Sequence, residues 1–130
     1  MIVGIGIDIL DIRRIERLVL KFPEKFETRI CTRREIEFCR ARTQYIESLS
    51  KMFSMKEAVL KAISNVSGIR WHDIEILHDS RGKPSVNLSG VALRNLTEKS
   101  ETFQLEVSTS DEPPYVVSFV VIYSRNSINT

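Results

Sequence analysis

The amino-acid sequence predicts an α+β fold in which an antiparallel-rich sheet packs against helices, one of them long and central. Two observations support this class. Apolar residues recur at helical spacing through much of the first half of the chain, after an opening run of β-branched residues. The second half contains two pairs of strand-like runs, with turn residues inside each pair and a short helical segment between the pairs. At 130 residues, a single domain over residues 1–130 is expected.

The chain begins with a predicted strand and a predicted helix. Residues 2–10 are rich in β-branched residues and apolar on both sides, which is typical of a strand covered on both faces. Asp11 has the chemistry of an N-cap, so a helix is expected from there through Phe22. Pro23 is expected to close that helix.

Two further helices are predicted before the middle of the chain. The run "TRRE" places Thr32 and Glu35 at the spacing of a capping box, so a helix is expected from there to about residue 42. The longest helix is expected over residues 45–64, because its apolar residues recur with a period of about 3.6.

The second half is predicted to hold strands and one short helix. Residues 73–78 and 85–88 are expected to form a hairpin around the turn-forming run "SRGKP". Residues 90–99 are expected to be helical. Residues 103–110 and 115–123 then pair across "DEPP", whose prolines favour a loop over a tight two-residue turn.

Composition and charge limit the classes of function. The net charge is only +2, so a charged partner has to be met by a local patch. "MIVGIGIDIL" has no basic leader, and "VVSFVVIYS" at residues 116–124 is too short to span a bilayer, so a cytoplasmic protein is predicted. Cys31 and Cys39 are expected about 12 Å apart on one helix, which predicts free thiols.

Asp8 is the first candidate functional residue. On a strand it shares one face with Gly4 and Gly6, because alternate side chains point the same way. Glycine in a strand often marks close approach by a ligand or another backbone. The alternative is a turn or cap role for Asp8, although Asp11 fits the cap better.

The long helix carries the second set of candidates. Glu57 and Lys61 lie one turn apart, and such a pair is usually a solvated contact worth about 0.3–0.5 kcal/mol. The functional alternative joins Glu57 with Asp8 as oxygen ligands of Mg²⁺, which also binds phosphate oxygens, while lysines neutralise the phosphate. Lys56 falls inside the apolar arc, where it either reaches past its neighbours to water or belongs to a site.

The first helix has a basic stripe, formed by Arg13, Arg14, Arg17 and Lys21. Leu20 lies at its edge. A cationic stripe beside an exposed leucine suits an acidic, partly apolar protein helix better than nucleic acid. A merely solvated charged face is the alternative. No membrane or nucleic-acid partner is expected.

Five segments together resemble the bacterial holo-[acyl-carrier-protein] synthases in order and spacing. They are "GIGID" at residues 4–8, "IRRI" at 12–15, "FSMKEAVLKA" at 53–62, "WHDIEI" at 71–76 and "GKP" at 82–84. The resemblance implies the 4'-phosphopantetheinyl transferase fold and transfer of 4'-phosphopantetheine from coenzyme A to a serine of apo acyl carrier protein. It also implies release of adenosine 3',5'-bisphosphate, Mg²⁺ dependence, a role in fatty acid biosynthesis and a homotrimer that binds coenzyme A between subunits.

The resemblance also assigns roles to positions of this chain. It implies that Asp8 and Glu57 bind magnesium, that Lys61 contacts phosphate, and that Lys56 is a second catalytic candidate. The residues expected to bind the coenzyme are Phe53, Lys61, Gly82, Pro84, Ser110 and Asp111. The basic stripe is expected to meet the acidic carrier protein, with Arg14 as the matching arginine.

Departures from the family pattern keep other functions open. Met52 stands where a basic residue is usual, Asp111 stands where a histidine is common, and "SNVSG" replaces a Gly-Thr-Gly turn. A catalytically silent family member would fit these changes. The alternative from another class is a non-catalytic α+β module that docks acidic proteins or RNA through its basic helix.

Overall fold

Two antiparallel sheets and five α-helices make up residues 1–124, the part of the chain that this computed structural model describes. In chain order the elements are β1 (Ile2–Asp11), α1 (Ile12–Lys21), α2 (Pro23–Ile30), α3 (Arg33–Arg40), α4 (Tyr45–Ile63), a 3-10 turn (Trp71–Asp73), β2 (Ile74–His78), β3 (Pro84–Leu88), α5 (Gly90–Lys99), β4 (Gln104–Glu112) and β5 (Tyr115–Tyr123). The predicted α+β class is confirmed.

The larger sheet and the long helix α4 form the centre of the molecule. Strand β5 lies between β1 and β4, so that Ser118 of β5 is flanked by Asp8 on one side and Thr109 on the other. Helix α4 packs on one face of this sheet, and most of its residues are buried. Neither α4 nor any other helix in the described part of the chain is long and apolar enough to cross a membrane.

Strand β1 lies directly on the backbone of α4. A carbon atom added to Gly6 would overlap the carbonyl oxygen of Ala58 and would lie 2.8 Å from the amide nitrogen of Ala62. A carbon added to Gly4 would overlap the carbonyl oxygen of Ala62. The glycines predicted to mark a close approach therefore admit another backbone, which brings the rest of β1 beside α4.

The first helix begins as predicted, and a second helix follows it at once. The Asp11 carboxylate accepts a hydrogen bond of 2.9 Å from the backbone amide of Arg13, which confirms the N-cap. Pro23 closes α1 but is also the first residue of α2, a helix that the sequence reading missed. Proline suits that place because the first amide of a helix has no partner within the helix.

The capping box at the start of α3 is confirmed, because Thr32 and Glu35 each bond the backbone of the other. Cys31 lies at the C-terminal cap of α2, whereas Cys39 lies within α3, so the expectation of one shared helix is wrong. Both are buried free thiols, as predicted. Burial raises the pKa of both thiols, that of Cys39 to about 12.

The two predicted strand pairs are confirmed, but the connection in the second pair is shorter than expected. Glu112 pairs directly with Tyr115, so Pro113 and Pro114 alone form the turn between β4 and β5. The prolines occupy positions that need no amide in the strand ladder. The carbonyl of Pro114 accepts a hydrogen bond of 2.7 Å from the amide of Ile12, which ties the turn to the start of α1.

One face of the larger sheet is not covered by any part of the chain that the structure describes, so the expectation of cover on both sides of β1 is wrong for residues 1–124. The isoleucines of β1 that alternate with the glycine face point away from α4, and Ile9 keeps 68% of its surface exposed. We call the exposed apolar residues of β1 and β5 the outer sheet face; they are Ile5, Ile7, Ile9, Tyr115, Val117 and Phe119. An apolar patch of this kind marks an interaction surface more often than a bare exterior.

Replacing Gly6 with alanine is expected to lower the free energy of unfolding by about 3 kcal/mol, the upper range for forcing an atom into a packed contact. The added carbon would force β1 away from Ala58. Chemical denaturation followed by circular dichroism measures the loss. Gly82→Ala is the control, because a carbon there meets nothing within 4 Å and only its φ of 84° is penalised, by about 1 kcal/mol. Equal losses at both positions would contradict a steric origin.

Candidate functional site

Asp8 is held against α4 by two side chains of that helix. Its Oδ2 atom accepts a hydrogen bond of 2.9 Å from the hydroxyl of Ser54. Its Oδ1 atom lies 3.6 Å from the ammonium of Lys61, and the Asp8 side chain is only 13% exposed. Asp8 and Lys61, both predicted from the sequence, therefore meet in one place, because β1 crosses α4 at its glycines.

Glu57 brings a second carboxylate to the same place. Burial raises the pKa of Glu57 above its usual value, and the negative charge of Asp8 raises it further. The positive charges of Lys61 and Arg14 oppose this shift. A carboxylate whose ionisation is opposed by burial and by a neighbouring acid gains from a bound cation.

Lys61 is not a simple partner of Glu57 along the helix surface. Its ammonium donates a hydrogen bond of 3.0 Å to the carbonyl of Ile7 and lies next to Asp8. The side chain remains 55% exposed. The lysine therefore carries a positive charge at the solvent edge of the two carboxylates, where it can also meet an anion.

The two carboxylates fit a magnesium ion by the chemistry of their atoms. Mg²⁺ prefers oxygen ligands, and it commonly takes one or two carboxylates while keeping water and substrate phosphates as its other ligands. Residues 1–124 contain no cluster of three or more histidine, cysteine, aspartate or glutamate side chains that could hold a metal. The two acids, of which Glu57 is partly exposed, fit an ion that takes its other ligands from water and substrate phosphate.

Phe53 and Arg14 border this acidic site. Phe53 is only 5% exposed, and its ring packs against Phe26 and Trp71 with centroids 5.9 and 5.2 Å away. The guanidinium of Arg14 lies 5.9 Å above the Phe53 ring, a distance that suits a cation–π contact. Phe53 is thus mainly a core residue, and Arg14 reaches from α1 to the edge of the acid pair.

The structure places Lys56 in the core, which contradicts its assignment as a catalytic residue. Its ammonium lies 2.6 Å from a carboxylate oxygen of Glu35 and donates to the carbonyls of Ile30, at 2.7 Å, and Trp71, at 3.2 Å. These partners use all three of its hydrogens, and the side chain is 0% exposed. Lys56 therefore neither reaches water nor faces a substrate phosphate; it joins α4 to the elements around it.

Gly82 and Pro84 lie apart from the acid pair, in the wall of a cleft of about 610 Å³. Lys51, Thr109 and Phe119 also line this cleft, so it borders the outer sheet face. The cleft is next to β4, whereas Asp8 is on β1 at the other edge of the sheet, about 10 Å away at the usual strand spacing. Gly82 and Pro84 therefore form a second group of predicted coenzyme contacts, apart from Phe53 and Lys61 at the acid pair.

Ser110 and Asp111 do not line the cleft themselves but follow its lining residue Thr109 on β4, and Asp111 contacts Lys51 of the cleft. The Asp111 carboxylate lies 3.0 Å from the ammonium of Lys51. A hydrogen bond between Asp111 and Glu47 lowers the pKa of Asp111 and raises that of Glu47. Asp111 thus has protein partners on α4, and one of them, Lys51, lines the cleft together with Lys83.

The basic stripe is only partly free. Arg13 forms an ion pair of 2.7 Å with Asp11, and this contact lowers the pKa of the Asp11 carboxyl. An acidic partner therefore exists at one end of the stripe. Arg17 and Lys21 are exposed, and Leu20 is exposed beside them as predicted.

Ser54 is the site residue that sequence reasoning did not assign. Its bond to Asp8 spans 46 positions, so no local pattern reveals it. The available signal was a small hydroxyl three residues before Glu57, on the same side of the helix.

Comparison with known proteins points to one family. Residues 4–120 match the family model of the 4'-phosphopantetheinyl transferase superfamily. The chain is similar to a holo-[acyl-carrier-protein] synthase of Methylorubrum populi, with 37% identity over 127 residues that cover 94% of this chain and 93% of the relative.

Solved structures of the same group share the fold. The holo-[acyl-carrier-protein] synthase of Neisseria meningitidis has a TM-score of 0.80 and 36% identity, over 95% of this chain and 100% of that one. The Helicobacter pylori enzyme, solved in complex with coenzyme A, has a TM-score of 0.79 and 30% identity, over 92% of this chain and 99% of that one.

Proposed function

The chain belongs to the 4'-phosphopantetheinyl transferase superfamily, and from this membership we propose how its acid pair, its cleft and its basic stripe divide the work of the reaction. The chain is a phosphopantetheinyl transferase of the holo-[acyl-carrier-protein] synthase kind, which transfers 4'-phosphopantetheine from coenzyme A to a serine of apo acyl carrier protein. A cytoplasmic location and the lack of a nucleic-acid partner stay predictions from the sequence. Full-length similarity to enzymes argues against a purely docking module.

Asp8 and Glu57 are the residues that would hold the magnesium ion. The observation that carries this proposal is the meeting of two carboxylates at one edge of α4, where the charge of Asp8 raises the pKa of Glu57. When bound, the ion would offset negative charge on the phosphate oxygens around the attacked phosphorus.

Apart from holding the metal, the site residues position the substrates and offset the charge on phosphate. The hydroxyl of the carrier serine attacks the phosphorus that bears the pantetheine arm and loses its proton to water, while the pyrophosphate bond breaks and adenosine 3',5'-bisphosphate leaves. Lys61 lies at the open edge of the acids and stabilises negative charge on the leaving phosphate. Phosphoryl transfer depends mainly on such placement, so few side chains take part in covalent steps. The coenzyme group formed by Gly82, Pro84, Ser110 and Asp111 would hold the rest of the coenzyme.

Asp8→Asn is expected to lower the transfer rate by about 100-fold or more, because the amide cannot replace a carboxylate beside the metal. The assay incubates enzyme, coenzyme A, Mg²⁺ and apo carrier, and then measures the carrier by mass spectrometry for a gain of one phosphopantetheine. Asp11→Asn is the matched control, since asparagine can still cap α1. An unchanged turnover of Asp8→Asn in saturating Mg²⁺ would show that Asp8 does not belong to the metal site.

The exposed part of the basic stripe is the proposed docking surface for the carrier protein. Arg17 and Lys21 are exposed on α1, and Arg14 links this surface to the acid pair through its position over Phe53. A carrier that docks on α1 would therefore present its serine near Glu57. Leu20 offers an apolar contact between the charges.

Arg17→Glu is expected to raise the KM for the carrier about tenfold while changing kcat much less, because a surface charge acts mainly on the encounter. Arg94→Glu, an equal charge reversal on the exposed surface of α5, is the control. The wild-type rate at low carrier concentration should fall as salt rises. Equal effects of the two charge reversals, or a rate that does not depend on salt concentration, would contradict docking on α1.

A homotrimer would cover the outer sheet face. This face exposes apolar residues from two strands, and Phe119 continues it into the wall of the cleft. A neighbouring subunit placed there would close the open side of the cleft, and one subunit's cleft could then work with the acid pair of another. Within one chain the acid pair and the cleft lie apart, which supports a site formed between two subunits.

Ile9→Asp is expected to disrupt the trimer, because it places a charge in the centre of the proposed interface. Sedimentation of the wild-type protein should give a particle of three 15.0 kDa chains, and the variant should sediment as a smaller species. Val66→Asp changes an exposed valine of the loop after α4 and should remain trimeric. A wild-type monomer, or a trimeric Ile9→Asp, would contradict the interface.

A further inference from the structure

Ser54 is a fully buried serine whose hydroxyl bonds to another element rather than to its own helix. Ser50, one turn earlier on α4 and equally buried, donates 2.7 Å to the carbonyl of Ile46, the usual bond of a serine inside a helix. Ser54 instead donates 2.9 Å to Oδ2 of Asp8 on β1. The same residue type at the same depth is thus used in two different ways.

The bond from Ser54 limits how the Asp8 carboxylate can turn. Rotation about the last side-chain bond of an aspartate is broad when nothing restrains it. Here Oδ2 is bound to Ser54, and Oδ1 lies on the side of Lys61. Since both partners belong to α4, the carboxylate is oriented by the same helix that carries Glu57.

We propose that Ser54 is a positioning residue of the metal site, which acts through Asp8 by fixing the direction of its carboxylate before a divalent cation binds. This inference rests on the proposed function, in which Asp8 and Glu57 hold the ion. Groups that hydrogen-bond to a metal ligand orient it, and their removal commonly lowers metal affinity by about 10- to 100-fold. Ser54 occupies that place for Asp8.

If Ser54 had only a structural role, its removal should have the same effect as the removal of Ser50, the other buried serine of α4. Ser54→Ala and Ser50→Ala each remove one buried hydroxyl from the same helix, one turn apart. Only the first change frees a carboxylate oxygen of Asp8. Ser50→Ala is therefore the matched control for burial, helix propensity and loss of a hydrogen bond.

The test measures Mn²⁺ binding by water-proton relaxation in the presence of coenzyme A and without carrier protein, so that no turnover occurs. Ser54→Ala is expected to bind Mn²⁺ about tenfold more weakly than wild type, and Ser50→Ala is expected to bind it as wild type does. Ser54→Cys keeps a weak donor and should fall between serine and alanine. In the transfer assay, Ser54→Ala should need more Mg²⁺ but reach nearly the wild-type kcat at saturation.

Asp8→Asn separates the failure of this inference from the failure of the proposed function. If Asp8→Asn loses Mn²⁺ while Ser54→Ala binds as wild type does, Ser54 has no positioning role and the metal site stands. If both serine variants weaken binding equally, the effect is structural and the inference is overturned. If Asp8→Asn binds Mn²⁺ like wild type, the metal assignment itself is wrong. Thermal unfolding of each variant confirms that the compared proteins are folded.

Discussion

The direct contact between the backbones of β1 and α4 is the constraint on which the site depends. Gly4 and Gly6 leave no side chain between the strand and the helix, so the strand reaches Ala58 and Ala62 at backbone distance. Two residues further along β1, the first side chain on that face is an acid. Its carboxylate therefore meets α4 close to Glu57, and no loop is needed to carry either acid.

A buried ion pair fixes the side of α4 that faces the core. Lys56 joins Glu35, and the second oxygen of Glu35 accepts a hydrogen bond of 2.7 Å from the amide of Ile76, so α3, α4 and β2 meet at one network. Such a pair adds little net stability relative to apolar residues, but losing one partner leaves a buried charge. Consecutive residues of α4 thus lie in opposite surroundings: Lys56 joins the helix to the core, and Glu57 lies beside Asp8 at the proposed metal site.

Much of the fold followed from local chemistry. The periodicity of α4, the cap at Asp11 and the capping box at Thr32 were readable because each depends on neighbours within a few positions. Pro23 was ambiguous, since the same residue ends one helix and starts another. Contacts between residues that lie far apart in the chain could not be predicted from such local patterns. The core location of Lys56 depends on Glu35, 21 positions earlier, and the role of Ser54 depends on Asp8.

In the candidate site, too, the local relations could be predicted from the sequence and the long-range ones could not. Spacing on α4 indicated that Glu57 and Lys61 share a face, while only the fold shows that Asp8 joins them. The isoleucines of β1 looked like core residues because periodicity reports hydrophobicity and not its partner. Their exposure leaves an apolar surface of the kind that more often marks an interaction site than a bare exterior.

The two buried cysteines have a consequence for a protein whose substrate carries its own sulfhydryl group. At neutral pH, Cys39 with a pKa of about 12 is almost entirely protonated, and the attacking species in disulfide exchange is the thiolate. Cys31 is shielded in the same way by its burial. Burial and protonation of both thiols therefore disfavour mixed disulfides between these cysteines and the thiol of coenzyme A.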